Sequence, residues 1–348
     1  MPQTQQLTLR LAEDSHLGRA GQIVTLALTP SDVHAPQEVD TYLAGYQPFA
    51  FRADEASKPV LVDKDEDLYR NFAANNAFRR VKVKSSLQKA VPEVDPESSL
   101  DKYRVVDRLA GSFIPDVTDK NATNRYRPRQ VAAERCKTAL YLDREMDVWE
   151  LLTDQTKWHA DNVVQLGPTT RWNGGPQSNP ISDLKMRIVR SAQRVTDAWF
   201  NQLVALEFLE HPLVREHARA MLGDRGMDSI AGRVGEAETD VVDFRIPGLP
   251  PMHVCCSKVL NEATGELEFC LGNHVLLLTV PPGVPIDGEA IATTHTFRRR
   301  GTSGVGFESR EFRVEDRGNG GTMVVASMAD VAIMTGNNCG GLIRDVWQ

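Results

Sequence analysis

The chain has 348 residues, of which 41% are hydrophobic and 25% charged, an ordinary composition for a globular protein of two or three domains, or of one core with large insertions. The net charge of −7 argues against a global basic field for nucleic acid, and no apolar run approaches the about 20 residues that span a bilayer. Residues 1–16 lack the apolar core of a signal peptide and the five cysteines lack the spacing of a disulfide framework, so we expect a cytoplasmic protein.

The N-terminal third is interrupted by prolines and polar residues. Residues 1–40 have no sustained hydrophobic period, which predicts an extended arm ordered by outside contacts, and residues 41–60 indicate a loop. Residues 78–87 alternate valine with lysine and predict a strand, and residues 101–114 predict a second extended run. Joined by a polar crossing, they form a projecting hairpin with too few apolar residues to fold alone, which therefore needs a partner. A flexible surface loop is the alternative.

A long amphipathic helix is predicted over residues 129–153, after a proline suited to the first helical position. At about 1.5 Å per residue it is roughly 37 Å long. Its apolar stripe is expected to comprise Val131, Ala132, Cys136, Ala139, Leu142, Met146 and Trp149. The opposite, solvent-exposed side is expected to carry Glu134, Lys137, Asp143, Arg144, Glu145 and Asp147.

Shorter elements follow this helix. Ser182 is the expected cap of a helix over residues 183–195, residues 199–204 predict a strand, and residues 206–214 predict a short helix broken at Pro212. Residues 215–245 are polar and indicate loops. Further strands are predicted over residues 252–257, 267–271, 273–280, 294–299, 307–315 and 323–334, of which the third is apolar enough to be buried.

Motifs for phosphate binding and catalysis are missing. The sequence has no Gly-x-x-x-x-Gly-Lys-Ser/Thr loop, no Gly-x-Ser-x-Gly elbow and no His-Glu-x-x-His. The weakly glycine-rich segment 301–306 lacks the strand and helix that flank a dinucleotide site, so a loop is the better interpretation. We therefore predict no catalytic residue, no cofactor-binding residue and no cofactor.

One cluster of metal-ligand residue types spans a predicted hairpin and comprises His253, Cys255, Cys256, Cys270 and His274. The expected turn places Cys256 opposite Cys270, a pair that could bind zinc with a histidine or form a disulfide on oxidation. Because the spacing fits no tight zinc pattern, buried thiols are the preferred interpretation and no metal ligand is assigned.

The strongest basic run is Arg298 to Arg300, with Arg310 and Arg313 nearby. Three interpretations are open: a phosphate site, a solvated charged face, which is favoured, or pairing with acids in the projecting loop of a neighbour. Those acids are Glu93, Asp95 and Glu97.

Three short motifs follow the long helix along the chain, and their order and spacing are informative. They are NPISDL at residues 179–184, LEFLEHPLV at 206–214 and GNHVLLLTVPPG at 272–283. From about residue 103 onward the sequence resembles the major capsid proteins of tailed bacteriophages, which have the Hong Kong-97-type capsid fold. The order of the motifs carries the resemblance, since each motif alone is weak.

The resemblance implies an α+β fold with named parts. Residues 1–60 are then an N-terminal arm, 61–113 an extended hairpin loop, 114–174 a peripheral domain with its spine helix at 129–153, and 175–282 an axial domain. Residues 283–348 complete the peripheral domain.

The implied function is structural, with no enzymatic activity. Copies assemble as hexamers and pentamers into an icosahedral shell around double-stranded DNA, without sequence-specific DNA binding or a membrane. Scaffold, portal and decoration proteins are the implied partners, and the virion, assembled in the bacterial cytoplasm, is the implied location. Two alternatives are an encapsulin-like nanocompartment shell and a cytoplasmic α/β metalloenzyme that uses the His/Cys cluster.

Some capsid proteins of this fold are joined by a Lys–Asn isopeptide bond. The residue types are present here, although no motif fixes them: Lys82, Lys84, Lys89, Asn337 and Asn338.

Overall fold

The computed structural model describes residues 6–9, 24–27, 51–71, 99–121, 127–174, 177–222, 234, 243–283, 291–301, 307–315 and 320–347. The chain divides into two compact units, the first of residues 1–47, 109–139 and 307–327, the second of residues 48–108, 140–306 and 328–348. Among the described residues, no helix combines the length and the hydropathy needed to cross a membrane.

The helices are α1 Ala53–Ala56, α2 Asp116–Lys120, α3 Pro128–Thr153, α4 Pro180–Arg190, α5 Gln202–Glu210 and α6 Pro212–Leu222. The strands are β1 Gln6–Leu9, β2 Val24–Ala27, β3 Pro59–Val62, β4 Glu66–Asn71, β5 Ser99–Arg104, β6 Val106–Pro115, β7 Val163–Gln165, β8 Asp197–Asn201, β9 Asp243–Phe244, β10 Met252–Cys255, β11 Lys258–Leu260, β12 Leu267–Phe269, β13 Val275–Leu278, β14 Thr294–Arg299, β15 Phe307–Val314, β16 Gly321–Met334 and β17 Gly340–Arg344.

The first unit contains the antiparallel pair β1–β2, the start of α3, and strand β15 beside the first half of β16. Its apolar cluster consists of Phe113, Phe312, Val314, Met323 and Val325. Arg129 at the start of α3 binds Asp119 at 2.7 Å and Glu311 at 3.1 Å, which joins α2, α3 and β15.

A six-stranded mixed sheet in the order β7-β17-β13-β8-β10-β9 forms the centre of the second unit. Strand β13 is apolar at every position because both faces of the sheet are covered. On one face, Leu277 packs with Phe200 and Phe208 in a core that includes residues of helices α4, α5 and α6. On the other face, Leu276 packs with Trp149 and the end of α3.

Strand β14 lies between β16, to which it is antiparallel, and β3, to which it is parallel. Its His295 is fully buried, and Nδ1 lies 3.0 Å from the hydroxyl of Thr335. Because that hydroxyl donates to the carbonyl of Ala292, Nδ1 carries the proton and donates. Burial lowers the pKa of His295 to about 4.

The prediction of the long helix is confirmed, with bounds Pro128–Thr153, but part of its solvent-exposed side was wrong. Lys137, Arg144 and Glu145 are buried, whereas Ala139 is exposed. Lys137 is buried in the first unit, where its ammonium lies 5.4 Å from the ring centroid of Phe307 and burial lowers its pKa to about 8. The helix therefore buries more than one face, and long polar side chains on it find partners.

Several predicted boundaries along the next helices are corrected. Helix α4 begins at Pro180 and ends at Arg190, and its cap is Asn179, whose side chain accepts from the backbone N–H of Ser182. The predicted break at Pro212 is confirmed, because Glu210 ends α5 and Pro212 begins α6. Residues 202–204 begin helix α5 and are not the end of the predicted strand, and α6 extends to residue 222, where loops were expected.

Several strands were missed, among them β3, β7, β9 and β17. Residues 59–62 form β3 and not a loop, because they pair with β14. Strand β17 lies between β7 and β13, and its glycine-rich start concealed it. Gly340 adopts φ 139°, and a Cβ there would lie 2.2 Å from the carbonyl oxygen of Leu277, so the close pairing of β17 with β13 requires glycine.

Residues 66–71 and 99–104 form the antiparallel pair β4–β5, and a hairpin that projects beyond this pair stays a prediction. Residue 69 pairs with residue 101, so the first strand of the pair comes earlier in the chain than expected. The strand predicted over residues 78–87 and most of the predicted arm lie outside the described residues. The proposed domain boundaries stay a prediction.

Candidate assembly interface

The base of the β4–β5 hairpin is fixed to the second unit by aromatic packing. The ring of Tyr103 stacks on that of Phe297 with centroids 4.4 Å apart, and Tyr69 lies 5.6 Å from the same ring. Val60 and Ala329 complete this cluster. One face of the β4–β5 pair is therefore buried against β14 and its neighbours.

The opposite face of the hairpin presents apolar side chains to solvent. The strand register places Leu68 opposite Lys102, and Leu100 lies two residues before Lys102 on β5, so both leucines lie on the same face. Leu68 is 51% exposed and Leu100 is 59% exposed. A two-stranded ribbon with leucines on its open face is typical of a surface that another chain covers.

Glu145 of α3 fixes the segment that leads from residue 51 to the hairpin. Its fully buried carboxylate accepts from the backbone N–H groups of Arg52 at 3.1 Å and Ala53 at 2.8 Å, where α1 begins. It also accepts from the indole of Trp149 at 2.7 Å and the hydroxyl of Ser257 at 3.1 Å. Burial raises the pKa of Glu145, although these four hydrogen bonds oppose the shift.

A buried arginine–aspartate network holds the other end of the hairpin. Asp330 of β16 binds Arg144 of α3 at 2.6 Å and Arg108 of β6 at 3.2 Å. Asp54 of α1 binds both Arg144 and Arg298, and the two arginines lower its pKa although burial acts in the opposite direction. Arg108 also binds Asp143 and Asp147 of α3. The network thus joins α1, α3, β6, β14 and β16 within the second unit.

A second charged group surrounds Trp199. His253 of β10 binds Asp197 at 2.9 Å through Nε2 and Asp243 at 2.8 Å through Nδ1, so the imidazole is held as the cation. Burial lowers the pKa of His253, but the two carboxylates outweigh it and raise the pKa to about 9. The guanidinium of Arg52 binds Asp243 at 2.9 Å and lies 5.0 Å from the centroid of Trp199.

The arrangement expected for the His/Cys cluster is wrong. Strand β10 pairs with β8 and β9, and β12 pairs with β11, so Cys270 faces Ser257 and not Cys256. His253 is bound to aspartates, and His274 accepts from the backbone N–H of residue 345. Among the described residues, no three His, Cys, Asp or Glu side chains come together as a metal site.

Burial raises the pKa of the thiols of Cys255, Cys256 and Cys270. These cysteines are free thiols, and burial favours their protonated form.

The basic run is solvated for the most part, as favoured, because Arg300, Arg310 and Arg313 are exposed and Arg299 is partly exposed, but Arg298 differs. Arg298 is buried in the arginine–aspartate network. Arg299 binds Asp65 at 3.0 Å and Asp107 at 2.7 Å, and Arg310 and Arg313 also bind acids of their own chain. Pairing with the acids predicted in the projecting loop stays untested, because residues 93–97 lie outside the described residues.

The two asparagines of the isopeptide hypothesis differ in their surroundings. Asn338 is partly buried, and its side chain accepts from Asn162 at 2.7 Å, whereas Asn337 is exposed. The three lysines lie outside the described residues.

Sequence reasoning missed the residues that hold the hairpin and the preceding segment, namely Glu145, Arg144, Asp54 and Asp330. One signal was available: Tyr141 and Val148 interrupt the polar side of α3 at the same helical spacing as Lys137 and Arg144. A helix side with two apolar residues among its charges is often buried.

Comparison with known proteins gives a fold and no sequence family. No family model and no curated protein sequence matches the chain. A crystal structure of a phage-related protein from Bordetella bronchiseptica RB50 has a TM-score of 0.66 and 16% identity, over 90% of this chain and 98% of that one.

Two further structures come from phages. A protein assigned as the capsid protein of a prophage of Escherichia coli CFT073 has a TM-score of 0.56 and 11% sequence identity, over 90% of this chain and 99% of that one. The capsid of cyanophage P-SCSP1u has a TM-score of 0.52 and 11% sequence identity, over 86% of this chain and 89% of that one. The chain therefore has the Hong Kong-97-type fold of phage capsid proteins, as the sequence resemblance implied.

Proposed function

We propose that this chain is a major capsid protein, which self-assembles through hexamers and pentamers into the icosahedral shell of a tailed bacteriophage. The shell encloses double-stranded DNA without reading its sequence, and scaffold, portal and decoration proteins are the other partners. Assembly takes place in the cytoplasm of the bacterial host. The function lies in contacts between copies and requires no catalytic residue.

One observation carries the proposal: a capsid fold bears a strand pair whose open face exposes two leucines among charged side chains. Burying Leu68 and Leu100 under a neighbouring copy stabilises the assembly by about 1.5–3 kcal/mol for each side chain that becomes fully buried. One such contact is weak, but symmetry repeats it for every subunit of a shell.

The buried contacts at the base support this function because they fix how the hairpin is presented. The Tyr103–Phe297 stack, the Glu145 hydrogen bonds and the arginine–aspartate network bind the flanking segments to α3 and β14. A fixed base reduces the conformational entropy that would be lost when the hairpin meets a neighbour. We infer that the arm of residues 1–60 also contacts neighbouring copies.

Electron microscopy of the purified chain, expressed alone and with its scaffold protein, tests the proposal. We expect closed particles of uniform size. Particles from infected or induced cells should contain DNA that resists nuclease until the shell is opened. Particles filled with a cargo enzyme in place of DNA would indicate a nanocompartment shell, and a stable monomer under all conditions would contradict both assignments.

A shortened hairpin tests the part that carries the proposal. Replacing residues 70–100 by Asn-Gly leaves Tyr69, Tyr103 and Arg108 in place and closes the strands with a two-residue turn. We expect a folded subunit with unchanged secondary structure that forms no closed shells.

Point variants separate chain length from surface chemistry. Leu68→Ser with Leu100→Ser should lower the assembled fraction strongly, whereas Lys102→Ser, an exposed change on the same face, should lower it little. Normal shells from the double serine variant would show that the apolar face is not used.

A further inference from the structure

The ribbon β11–β12 exposes most of its apolar residues to solvent in the isolated chain. The register pairs Leu260 with Leu267 and Lys258 with Phe269, so these four side chains share one face. The other face carries Val259, which packs against the core around Trp149, and Glu268. Leu260 is 55% exposed and Leu267 is 67% exposed. The attached face is therefore poorer in apolar residues than the open face, which inverts the usual pattern of a surface ribbon.

The rim of this open face is acidic. Glu262 and Glu266 lie in the turn between the strands, and both are exposed. Glu268 belongs to the attached face, is also exposed, and accepts from the side chain of Asn261 at 2.8 Å. Lys258 lies on the open face itself, and its ammonium lies 4.9 Å from the ring centroid of Phe269. An apolar centre with an acidic rim fits a surface of the same shape with a basic rim.

Helix α4 of the same chain offers such a surface. Met186 and Val189, three residues apart, lie on its outer face, and Val189 is 80% exposed. Lys185 and Arg190 flank them and are also exposed. Asp183 is the acid within this helix, and it accepts from the indole of Trp172 at 3.0 Å.

We propose that the open face of the β11–β12 ribbon docks on the outer face of α4 in a second copy of this chain. Leu260 and Leu267 pack against Met186 and Val189, while Glu262 and Glu266 meet Lys185 and Arg190. Both faces are open in the isolated chain, so they do not cover each other within one copy. The contact joins two different surfaces, so each copy donates a ribbon and accepts one, and it closes into a ring when the rotation permits. This proposed contact rests on the proposed shell function and names the residues that would form one of the contacts between copies.

Disulfide trapping tests the contact directly. Cys256, the one native cysteine that is not buried, is first replaced by serine. Leu267→Cys and Val189→Cys are then combined in one chain, and particles are oxidised and run on a non-reducing gel. We expect a ladder of covalent oligomers from the double variant and monomers from each single variant. Monomers from the double variant, or dimers from Leu267→Cys alone, which would mean that two ribbons meet each other, would overturn the proposal.

Charge reversal gives a second and independent test. Glu262→Lys with Glu266→Lys, and separately Lys185→Glu with Arg190→Glu, should each lower the assembled fraction at least about tenfold at low salt. All four changes together should restore most of it, because the opposite charges are again paired. Thermal unfolding of dilute subunits, which should change little, excludes misfolding as the cause. Failure of the fourfold variant to assemble better than either double variant would refute the contact.

The two proposals fail in different ways. Uniform closed particles without the disulfide ladder would leave the shell function standing and remove this contact. A disulfide ladder from a chain that forms open rings or filaments, and never closed particles, would support the contact and contradict the shell function.

Discussion

Replacing Glu145 by alanine should destabilise the second unit strongly. The change removes the acceptor for the indole of Trp149, the hydroxyl of Ser257 and two backbone N–H groups at the start of α1. An unpartnered buried donor costs about 1–3 kcal/mol, and water that enters the vacated space recovers part of this. We therefore expect the free energy of unfolding to fall by about 3–5 kcal/mol, a large part of the 5–15 kcal/mol typical of a folded domain.

Urea unfolding of dilute subunits, followed by tryptophan fluorescence, measures this loss. Trp149 is a suitable reporter because it lies beside Trp199, with ring centroids 5.6 Å apart. Glu150→Ala is the matched control, since Glu150 is an exposed glutamate of the same helix, and its change should stay within about 0.5 kcal/mol.

A second readout locates the effect of the Glu145→Ala variant. Proteolysis near residue 52 should become faster, because α1 loses the acceptor for its first N–H groups. A Glu145→Ala variant as stable as Glu150→Ala would refute the role given to this carboxylate.

Further predictions concern titration and packing. As the pH falls from 6.5 to about 4, the free energy of unfolding should fall by up to about 3 kcal/mol, because buried His295 stays neutral while the unfolded chain takes up a proton. His295→Asn should remove this pH dependence from acid unfolding curves, and a variant with the same acid unfolding curve as the wild type would contradict it. The charge of His253 stabilises the fold fully below pH 6.5, and this stabilisation is lost as the pH rises through about 9. His253→Gln should therefore flatten the alkaline part of the curve of unfolding free energy against pH, and a wild-type curve that is already flat there would contradict this. Tyr103→Ala should cost about 3–5 kcal/mol by removing the stack on Phe297, and a loss below 1 kcal/mol in urea unfolding would mean that the hairpin base is not held there. Arg144→Met leaves Asp330 short of a partner and should cost about 3–5 kcal/mol by the same measurement, in contrast to a neutral result if the pair is dispensable.

The sequence was informative where periodicity and apolar runs decide structure. The long helix, the buried strand around Leu276 and the break at Pro212 were predicted because each follows from local pattern. Order of motifs, not any single motif, led to the fold that the structural comparisons show.

The sequence was uninformative where a contact joins distant parts of the chain. Glu145 binds residues more than ninety positions earlier, and nothing local marks it as different from exposed Glu150. Strand β3 exists because β14 pairs with it, and the Cys256–Cys270 expectation failed because β11, one strand further on, is the partner of β12. The exposed Leu260–Leu267 pair likewise needed a strand register before its side could be known.

Thiol labelling of the hairpin tests most directly whether a sister copy covers the open face that carries Leu68 and Leu100. Leu100→Cys is placed in a chain whose part-exposed Cys256 is serine, and labelling rates are compared between closed particles and dissociated subunits. We expect Leu100→Cys to be labelled at least about tenfold more slowly in closed particles than in dissociated subunits, and the rate at a Glu150→Cys control to change little. Equal rates at Leu100→Cys in particles and in free subunits would contradict it.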